Sequence, residues 1–352
     1  MRLHLLRRLP FGLVVAALLI LAPARLAADL VWSRETGWRL EGGALAGLSG
    51  SEGRNALELM NNARLQEERG ALGSAIKNYR KVTKRYGNSV YTPEALFRTA
   101  NLYLARKQYT KAFESFQQIV GRYPNPPRFN QIIGEQYRIA SALLDGARPY
   151  AWGKIPLLPA RLKGLEYFEY VLLNAPYSDY APLALMNIAR GHQRMKNTEE
   201  AIDALDRMIN NYPQSLLAPD AYLKLGQTHA SLVQGADYDQ TSTKEAITYF
   251  QDFMILFPND PAISASAKGL DEMRTVLAES KIKMADFYFY KRDNYTAARV
   301  FYNEAITVYP DSPVAQIAKS RLAAVDAAAA GKPAPASTEP GTPAKKKRFF
   351  FF

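Results

Sequence analysis

The chain has 352 residues, of which 48% are hydrophobic, and this length predicts about two ordinary domains or one elongated array. It contains no Cys and only three His, which excludes disulfides, thiolate metal sites, Cys nucleophiles and thiol-linked lipid anchors, and leaves little for His-based catalysis. The net charge of +12 falls to +5 when the seven cations at the two ends are set aside, so the composition does not indicate a nucleic-acid partner.

Residues 1–28 have the pattern of a secretory signal peptide. Arg2, Arg7 and Arg8 precede an apolar run from Phe11 to Leu21, and small residues follow as a cleavage site. The run is shorter than the ~20 residues that a membrane-spanning helix requires. The sequence therefore predicts an exported protein.

Residues 29–54 form an N-terminal extension that is rich in Gly but contains Trp32 and Trp38. The third tryptophan, Trp152, also lies outside the repeats described next. Because an exposed Trp is unfavourable in water, we expect all three to fold back onto the helices, with a partner as the alternative.

Residues 55–330 contain a repeat that is marked by helix-stop dipeptides. The stops are Tyr86-Gly87, Tyr123-Pro124, Ala175-Pro176, Tyr212-Pro213, Phe257-Pro258 and Tyr309-Pro310. Each is preceded at fixed offsets by a small, a large and an apolar residue. The small residues are Ala75, Ala112, Gly164, Ala201, Ala246 and Ala298; the large ones are Tyr79, Phe116, Phe168, Leu205, Phe250 and Tyr302; and the apolar ones are Val82, Ile119, Val171, Met208, Phe253 and Ala305.

This spacing is typical of the second helix of a tetratricopeptide repeat, in which a large residue fills the gap left by a small one on the first helix. The sequence predicts an all-α tetratricopeptide-repeat solenoid of about five to six helix pairs with a concave groove. The segment from Val314 to Ala330 is predicted to be a C-terminal helix that caps the array.

Three intervals between stops exceed the ideal repeat length and predict insertions. One lies at Gly146–Pro159 and another at Ser231–Thr243, whereas the third is expected to lengthen a first helix from Ala267 to Tyr290. Whether Gly146–Pro159 is a binding loop is left open by the sequence.

No motif indicates catalysis. His192 and His229 occupy the same position in two repeats, which favours packing over metal binding. Carboxylates such as Glu67 and Glu199 are expected on solvated faces. We therefore predict a protein without cofactor or metal that is not an enzyme; an enzyme with unrecognised catalytic residues is the rival from a different class.

The first helices of the early repeats place several side chains where a concave surface is expected. These residues are Met60, Arg64, Phe97, Asn101 and Leu104. An apolar, amide-bearing groove suits an extended peptide or a partner's loop.

Residues 331–352 combine a Pro/Ala linker without core-forming residues and a tail, Lys345–Phe352, of four cations and four Phe. A disordered end is one interpretation of this tail. Polybasic and aromatic residues together also favour contact with an anionic membrane surface.

Over Asn55–Ala330 the array resembles the BamD family of outer-membrane β-barrel assembly factors. The most specific stretch is the aromatic-rich segment Met284–Arg299, which leads to the stop Tyr309–Ser312, and Tyr167–Tyr180 is also similar.

The resemblance implies a non-enzymatic scaffold at the periplasmic face of the outer membrane. N-terminal repeats would receive targeting segments of unfolded outer-membrane proteins at the five groove residues named above. C-terminal repeats would bind the periplasmic domains of a BamA-like β-barrel subunit through Tyr288, Lys291 and Arg292.

The chain departs from the family in one respect, because family members are typically lipoproteins and this sequence has no Cys to acylate. Attachment would then rest on protein partners, an uncleaved leader or the Lys345–Phe352 tail. This departure keeps an alternative open, a soluble periplasmic adaptor for cell-envelope or division proteins.

Overall fold

The computed structural model describes residues 29–41 and 50–331. The predicted signal peptide and the Lys345–Phe352 tail lie outside these ranges. The described residues contain thirteen α-helices, one π-helical turn and two short β-hairpins. The chain divides into two compact units, Met1–Tyr167 and Phe168–Phe352, so that one helix crosses the boundary.

The first unit begins with a hairpin and continues as paired helices. Its elements are β1 (Asp29–Ser33), β2 (Gly37–Glu41), α1 (Ser51–Glu68), α2 (Leu72–Arg85), α3 (Thr92–Ala105), α4 (Tyr109–Arg122), α5 (Phe129–Leu144), β3 (Tyr150–Ala151), β4 (Ile155–Pro156) and the start of α6 (Arg161–Asn174).

The second unit contains the rest of α6 and further helix pairs. Its other elements are α7 (Tyr180–Arg194), α8 (Thr198–Asn211), α9 (Ala218–Ser231), α10 (Thr241–Leu256), α11 (Ile263–Asp286), the π-helical turn (Phe287–Lys291), α12 (Tyr295–Val308) and α13 (Pro313–Ala329). Helices adjacent in sequence pack on each other from α7 to α13.

All six predicted stops end a helix. In five of them the residue before the Pro or Gly donates its backbone N–H to the carbonyl four residues earlier, as Tyr123 does to Ile119 at 3.0 Å; the other four are Tyr86, Ala175, Tyr212 and Phe257. The helix then ends because the next residue, usually Pro, has no N–H to continue the ladder.

The predicted small, large and apolar residues of every repeat are buried. Phe250 on α10 illustrates how they pack. A Cβ added at Gly226 on α9 would lie 2.7 Å from the Phe250 ring, and one added at Gly269 on α11 would lie 2.5 Å from it. The ring therefore fills a space that exists because both first helices carry glycine there.

The structure confirms the tetratricopeptide architecture and the C-terminal capping helix. Val314, Ala318 and Val325 of α13 join a core cluster with Tyr302 and Phe289, which closes the apolar face of α12. The predicted long first helix is also present, because α11 continues directly into the π-helical turn.

Two local features depart from an all-helical chain. The N-terminal extension forms the β1–β2 hairpin, and the Gly146–Pro159 insertion contains the β3–β4 hairpin. Within residues 29–41 and 50–331, none of the helices combines the length and apolar character that crossing a bilayer would require.

Candidate partner-binding surfaces

The β1–β2 hairpin has one apolar face. Its register pairs Leu30 with Leu40 and Trp32 with Trp38, so the four side chains project from the same side of the ladder. This side lies against the helices, since Trp38 is 3% exposed. The expectation that Trp32 and Trp38 fold back onto the helices is confirmed.

Two contacts anchor the hairpin to α1. Trp38 donates its backbone N–H to Asn61 Oδ1 at 2.7 Å. Gly37 has φ +70°, and a Cβ there would lie 2.7 Å from the same Asn61 oxygen. Only glycine combines this backbone conformation with so close an approach to α1.

The hairpin covers part of the predicted groove. The Arg64 guanidinium stacks 4.5 Å from the centroid of Trp32, and the Arg98 guanidinium lies 5.4 Å from that of Trp38. Phe97 is buried, and Met60 has no exposed surface. Met60 is therefore a core residue in this conformation, and it leaves the set of side chains that a partner could touch.

Beside the hairpin, Arg and Glu side chains alternate in a row of ion pairs, which we call the charge ladder. Glu67 accepts from Arg64 Nη1 at 2.9 Å and from the Tyr79 hydroxyl at 3.0 Å, and Arg98 Nη1 lies 3.6 Å away. Burial and the Glu67 charge raise the pKa of Tyr79 well above its usual range. The expectation of a solvated Glu67 is wrong, because α1, α2 and α3 converge on its carboxylate.

The ladder continues to α5. Glu94 accepts from Arg98 Nε at 2.8 Å and from Arg128 Nη1 at 2.6 Å, and the Arg128 guanidinium lies 4.8 Å from the Phe97 centroid. A small recess of 280 Å³ is bordered by Leu30 and Leu40 together with Glu94, Phe97 and Arg128. Asn101 and Leu104, farther along α3, are half-buried.

In the second unit, the other three predicted partner-binding residues lie in the π-helical turn or directly after it. Lys291 and Arg292 are exposed, and the Arg292 guanidinium lies 5.3 Å from the centroid of Phe287, itself 44% exposed. Tyr288 is half-buried, because its ring stacks on Phe301 at 5.4 Å. The turn therefore presents two cations and an exposed aromatic ring that the sequence did not single out.

The turn rests on a half-buried acidic contact. The Tyr302 hydroxyl donates to Asp286 Oδ1, and Arg321 of α13 pairs with Asp286 Oδ2. Burial, followed by this hydrogen bond, raises the pKa of Tyr302 above its usual range. Asn294 caps α12 by accepting from the Ala297 N–H at 3.0 Å, which fixes where the turn ends.

The two repeat-position histidines are packing residues. His229 stacks on Tyr249 with centroids 5.4 Å apart, and burial lowers the pKa of His229. His192 Nδ1 lies 3.5 Å from Asn197 Nδ2. Among the described residues, no group of three His, Cys, Asp or Glu side chains is placed to hold a metal ion.

The second unit also has an open cleft of 1120 Å³. It lies beside the residues that follow the helix stops Ala175-Pro176 and Tyr212-Pro213. Tyr177 and Leu216 line it and are 99% and 98% exposed. Sequence reasoning did not identify it, since these residues fall between helices and outside the repeat's packing positions.

Repeated helix pairs with these packing positions define a tetratricopeptide-repeat protein, and the sites described above are surfaces rather than catalytic clusters. Residues 94–126 match the tetratricopeptide-repeat family model. Residues 162–332 match the YfiO family, described as an outer membrane lipoprotein.

Curated relatives carry the name outer membrane protein assembly factor BamD. The relative from Pasteurella multocida is 24% identical over 160 residues, which cover 43% of this chain and 61% of the relative. The one from Rickettsia prowazekii is 26% identical over 147 residues, covering 42% and 58%. Each match thus spans about three-fifths of the relative's length.

Solved structures with a similar fold include a tetratricopeptide repeat protein from Parabacteroides merdae, at 13% identity and a TM-score of 0.31, covering 77% of this chain and 98% of that one. Another is PilW, a type IV pilus biogenesis factor, at 15% identity and a TM-score of 0.25, covering 76% and 98%.

Proposed function

We propose that the protein is a non-catalytic scaffold in outer-membrane protein assembly, positioned at the periplasmic face of the outer membrane. The match of residues 162–332 to the outer membrane lipoprotein family, whose curated relatives are assembly factors, carries this proposal. A scaffold acts by holding other polypeptides, which needs exposed, shaped surfaces and no reactive groups.

The π-helical turn is the proposed site for a BamA-like β-barrel subunit. Lys291 and Arg292 beside the exposed Phe287 ring combine charge with an apolar anchor, which is the composition of many binding hot spots. Tyr288 contributes through its stacking on Phe301, which supports the backbone of the turn.

The first unit is the proposed site for targeting segments of unfolded outer-membrane proteins. Asn101 and Leu104 are half-buried, whereas Arg64 and Phe97 lie beneath or beside the β1–β2 hairpin. An extended segment would bind along α3 next to the hairpin, with an amide and an apolar contact for selectivity.

The subunit site is tested by Arg292→Glu, with Lys268→Glu as a matched charge reversal on the exposed face of α11. Detergent-solubilised envelopes are passed over each tagged full-length variant, and the captured β-barrel subunit is quantified by mass spectrometry. We expect about tenfold weaker capture for Arg292→Glu only, because reversing an interface charge turns attraction into repulsion.

Equal capture by both variants would contradict the site assignment. Capture of peptidoglycan or division proteins in place of a β-barrel subunit would instead support the periplasmic adaptor. We retain this second function because the sequence contains no Cys that could be acylated.

A further inference from the structure

The insertion between α5 and α6 exposes an unusual amount of apolar surface. Trp152 is 70% exposed, Leu158 84% and Leu162 69%, and Ile155 and Leu157 are about half exposed. Five large apolar side chains within eleven residues form a concentrated patch, whereas isolated exposed apolar residues are common on any protein. The expectation that Trp152 folds back is therefore wrong.

The patch is held by a rigid support. The buried Gln108 side chain, oriented with its oxygen toward the β3–β4 turn, accepts from the Trp152 N–H at 3.0 Å and the Gly153 N–H at 2.7 Å. Tyr150 donates its N–H to the Lys107 carbonyl at 2.9 Å, and Arg106 donates to the Trp152 carbonyl. Three consecutive residues at the α3–α4 junction thus clamp the turn.

The clamp maintains an unfavourable backbone. Trp152 has φ +50°, a conformation that costs a non-glycine residue energy, and Gly153 beside it has φ +71°. Strain of this kind persists only where surrounding contacts enforce it. The hydrogen bonds to Gln108 and from Arg106 therefore fix the backbone that presents the exposed indole.

Cations predominate along the insertion, which Asp145 precedes and Glu166 follows. From Gly146 to Gly164 there are four cations, Arg148, Lys154, Arg161 and Lys163, and no Asp or Glu. Lys163 is paired with Glu166 at 2.9 Å, so the other three cations carry the positive charge of this segment. Trp and Leu side chains flanked by cations are typical of segments that bind the headgroup region of an anionic bilayer.

We propose that the β3–β4 hairpin is a membrane-interface element that seats the protein on an anionic lipid surface. Trp152, Leu158 and Leu162 enter the headgroup region while Arg148, Lys154 and Arg161 contact lipid phosphates. Complementarity between these cations and lipid phosphates favours an anionic lipid surface as the occupant. This inference is independent of the proposed assembly function.

The test uses the full-length protein and vesicles of phosphatidylcholine with or without phosphatidylglycerol. Trp152→Ser combined with Leu158→Ser is compared with Tyr177→Ser combined with Leu216→Ser, which removes two even more exposed apolar side chains from the other unit. We expect at least about tenfold weaker flotation with phosphatidylglycerol vesicles for the hairpin variant alone.

A second readout keeps the test independent of the Lys345–Phe352 tail, which is the same in every variant. Lipids brominated in the acyl chains should quench wild-type tryptophan emission and quench Trp152→Phe much less, because Trp38 is buried and Trp32 is half-buried under the Arg64 guanidinium. Equal flotation of both double variants without quenching would overturn the proposal. So would loss of protein capture from envelopes without any loss of flotation, which would indicate a protein partner.

Discussion

The two hairpins of the first unit are built alike and end in opposite environments. Each has a Trp next to a glycine with φ near +70°, yet Trp38 is 3% exposed and Trp152 is 70% exposed. The difference lies in the spacing of the apolar residues along the strands. In β1–β2 they alternate, so one face is entirely apolar and can be buried on α1 and α3.

In the insertion the apolar residues are adjacent in sequence. Ile155 and Leu157 flank Pro156, and Leu158 follows directly. In an extended chain, consecutive side chains such as those of Leu157 and Leu158 point to opposite sides. All three side chains stay about half exposed or more. The comparison also shows that the position of the tryptophan matters. Trp38 lies in strand β2, on the face that packs on the helices, whereas Trp152 lies in the turn between β3 and β4, where Gln108 and Arg106 hold the backbone.

Trp38→Ala gives the strongest test of this difference between the two hairpins. We expect the opening free energy of residues 30–40, measured by amide hydrogen exchange, to fall by about 3–5 kcal/mol, or their slow exchange to vanish, because a fully buried indole is lost. Trp152→Ala is the matched control and should change it by less than about 0.5 kcal/mol. Similar losses for both variants would mean that exposure does not distinguish the hairpins.

A smaller effect is expected for Gln108→Leu. The Trp152 and Gly153 N–H groups would lose their acceptor, so the β3–β4 turn should open more easily by about 1–3 kcal/mol. Exchange rates of these two amides measure the change, with Gln227→Leu on the exposed face of α9 as control. Unchanged amide exchange would show that Gln108 does not support the turn.

The smallest effect is expected for Trp152→Gly. Glycine relieves the strain at φ +50° but adds freedom to the unfolded chain, so the turn should be unchanged or stabilised by up to about 1 kcal/mol. Slower exchange at Gly153 and Lys154 would be the signature. A clear destabilisation would show that the indole makes stabilising contacts and is not merely exposed by the clamp.

Much of the fold follows from the sequence because every repeat carries the same packing requirement. A small residue, a large residue and a stop at fixed offsets leave one arrangement for each helix pair, and Tyr79, Phe116 and Phe250 occupy it. The repeated offsets supply many independent indications of the same fold, so helix ends and core positions are both predicted well.

The surfaces were harder to predict, because they depend on contacts between segments far apart in sequence. Nothing local to Glu67 announces that Tyr79 and Arg98 converge on it. Burial of Met60 similarly depends on helix packing that no short motif specifies. The alternation of Leu30, Trp32, Trp38 and Leu40 was a readable strand signal for the hairpin that covers Arg64, though a repeat-based interpretation passes over it.

The ladder of charges on α1, α3 and α5 has a consequence for how ligands reach that face. Arg64, Arg98 and Arg128 are matched by Glu67, Glu68 and Glu94, so the six formal charges cancel within a few ångströms. A cancelled array projects little potential beyond a Debye length. Encounter with an extended peptide there should proceed at an unsteered rate that ionic strength hardly alters.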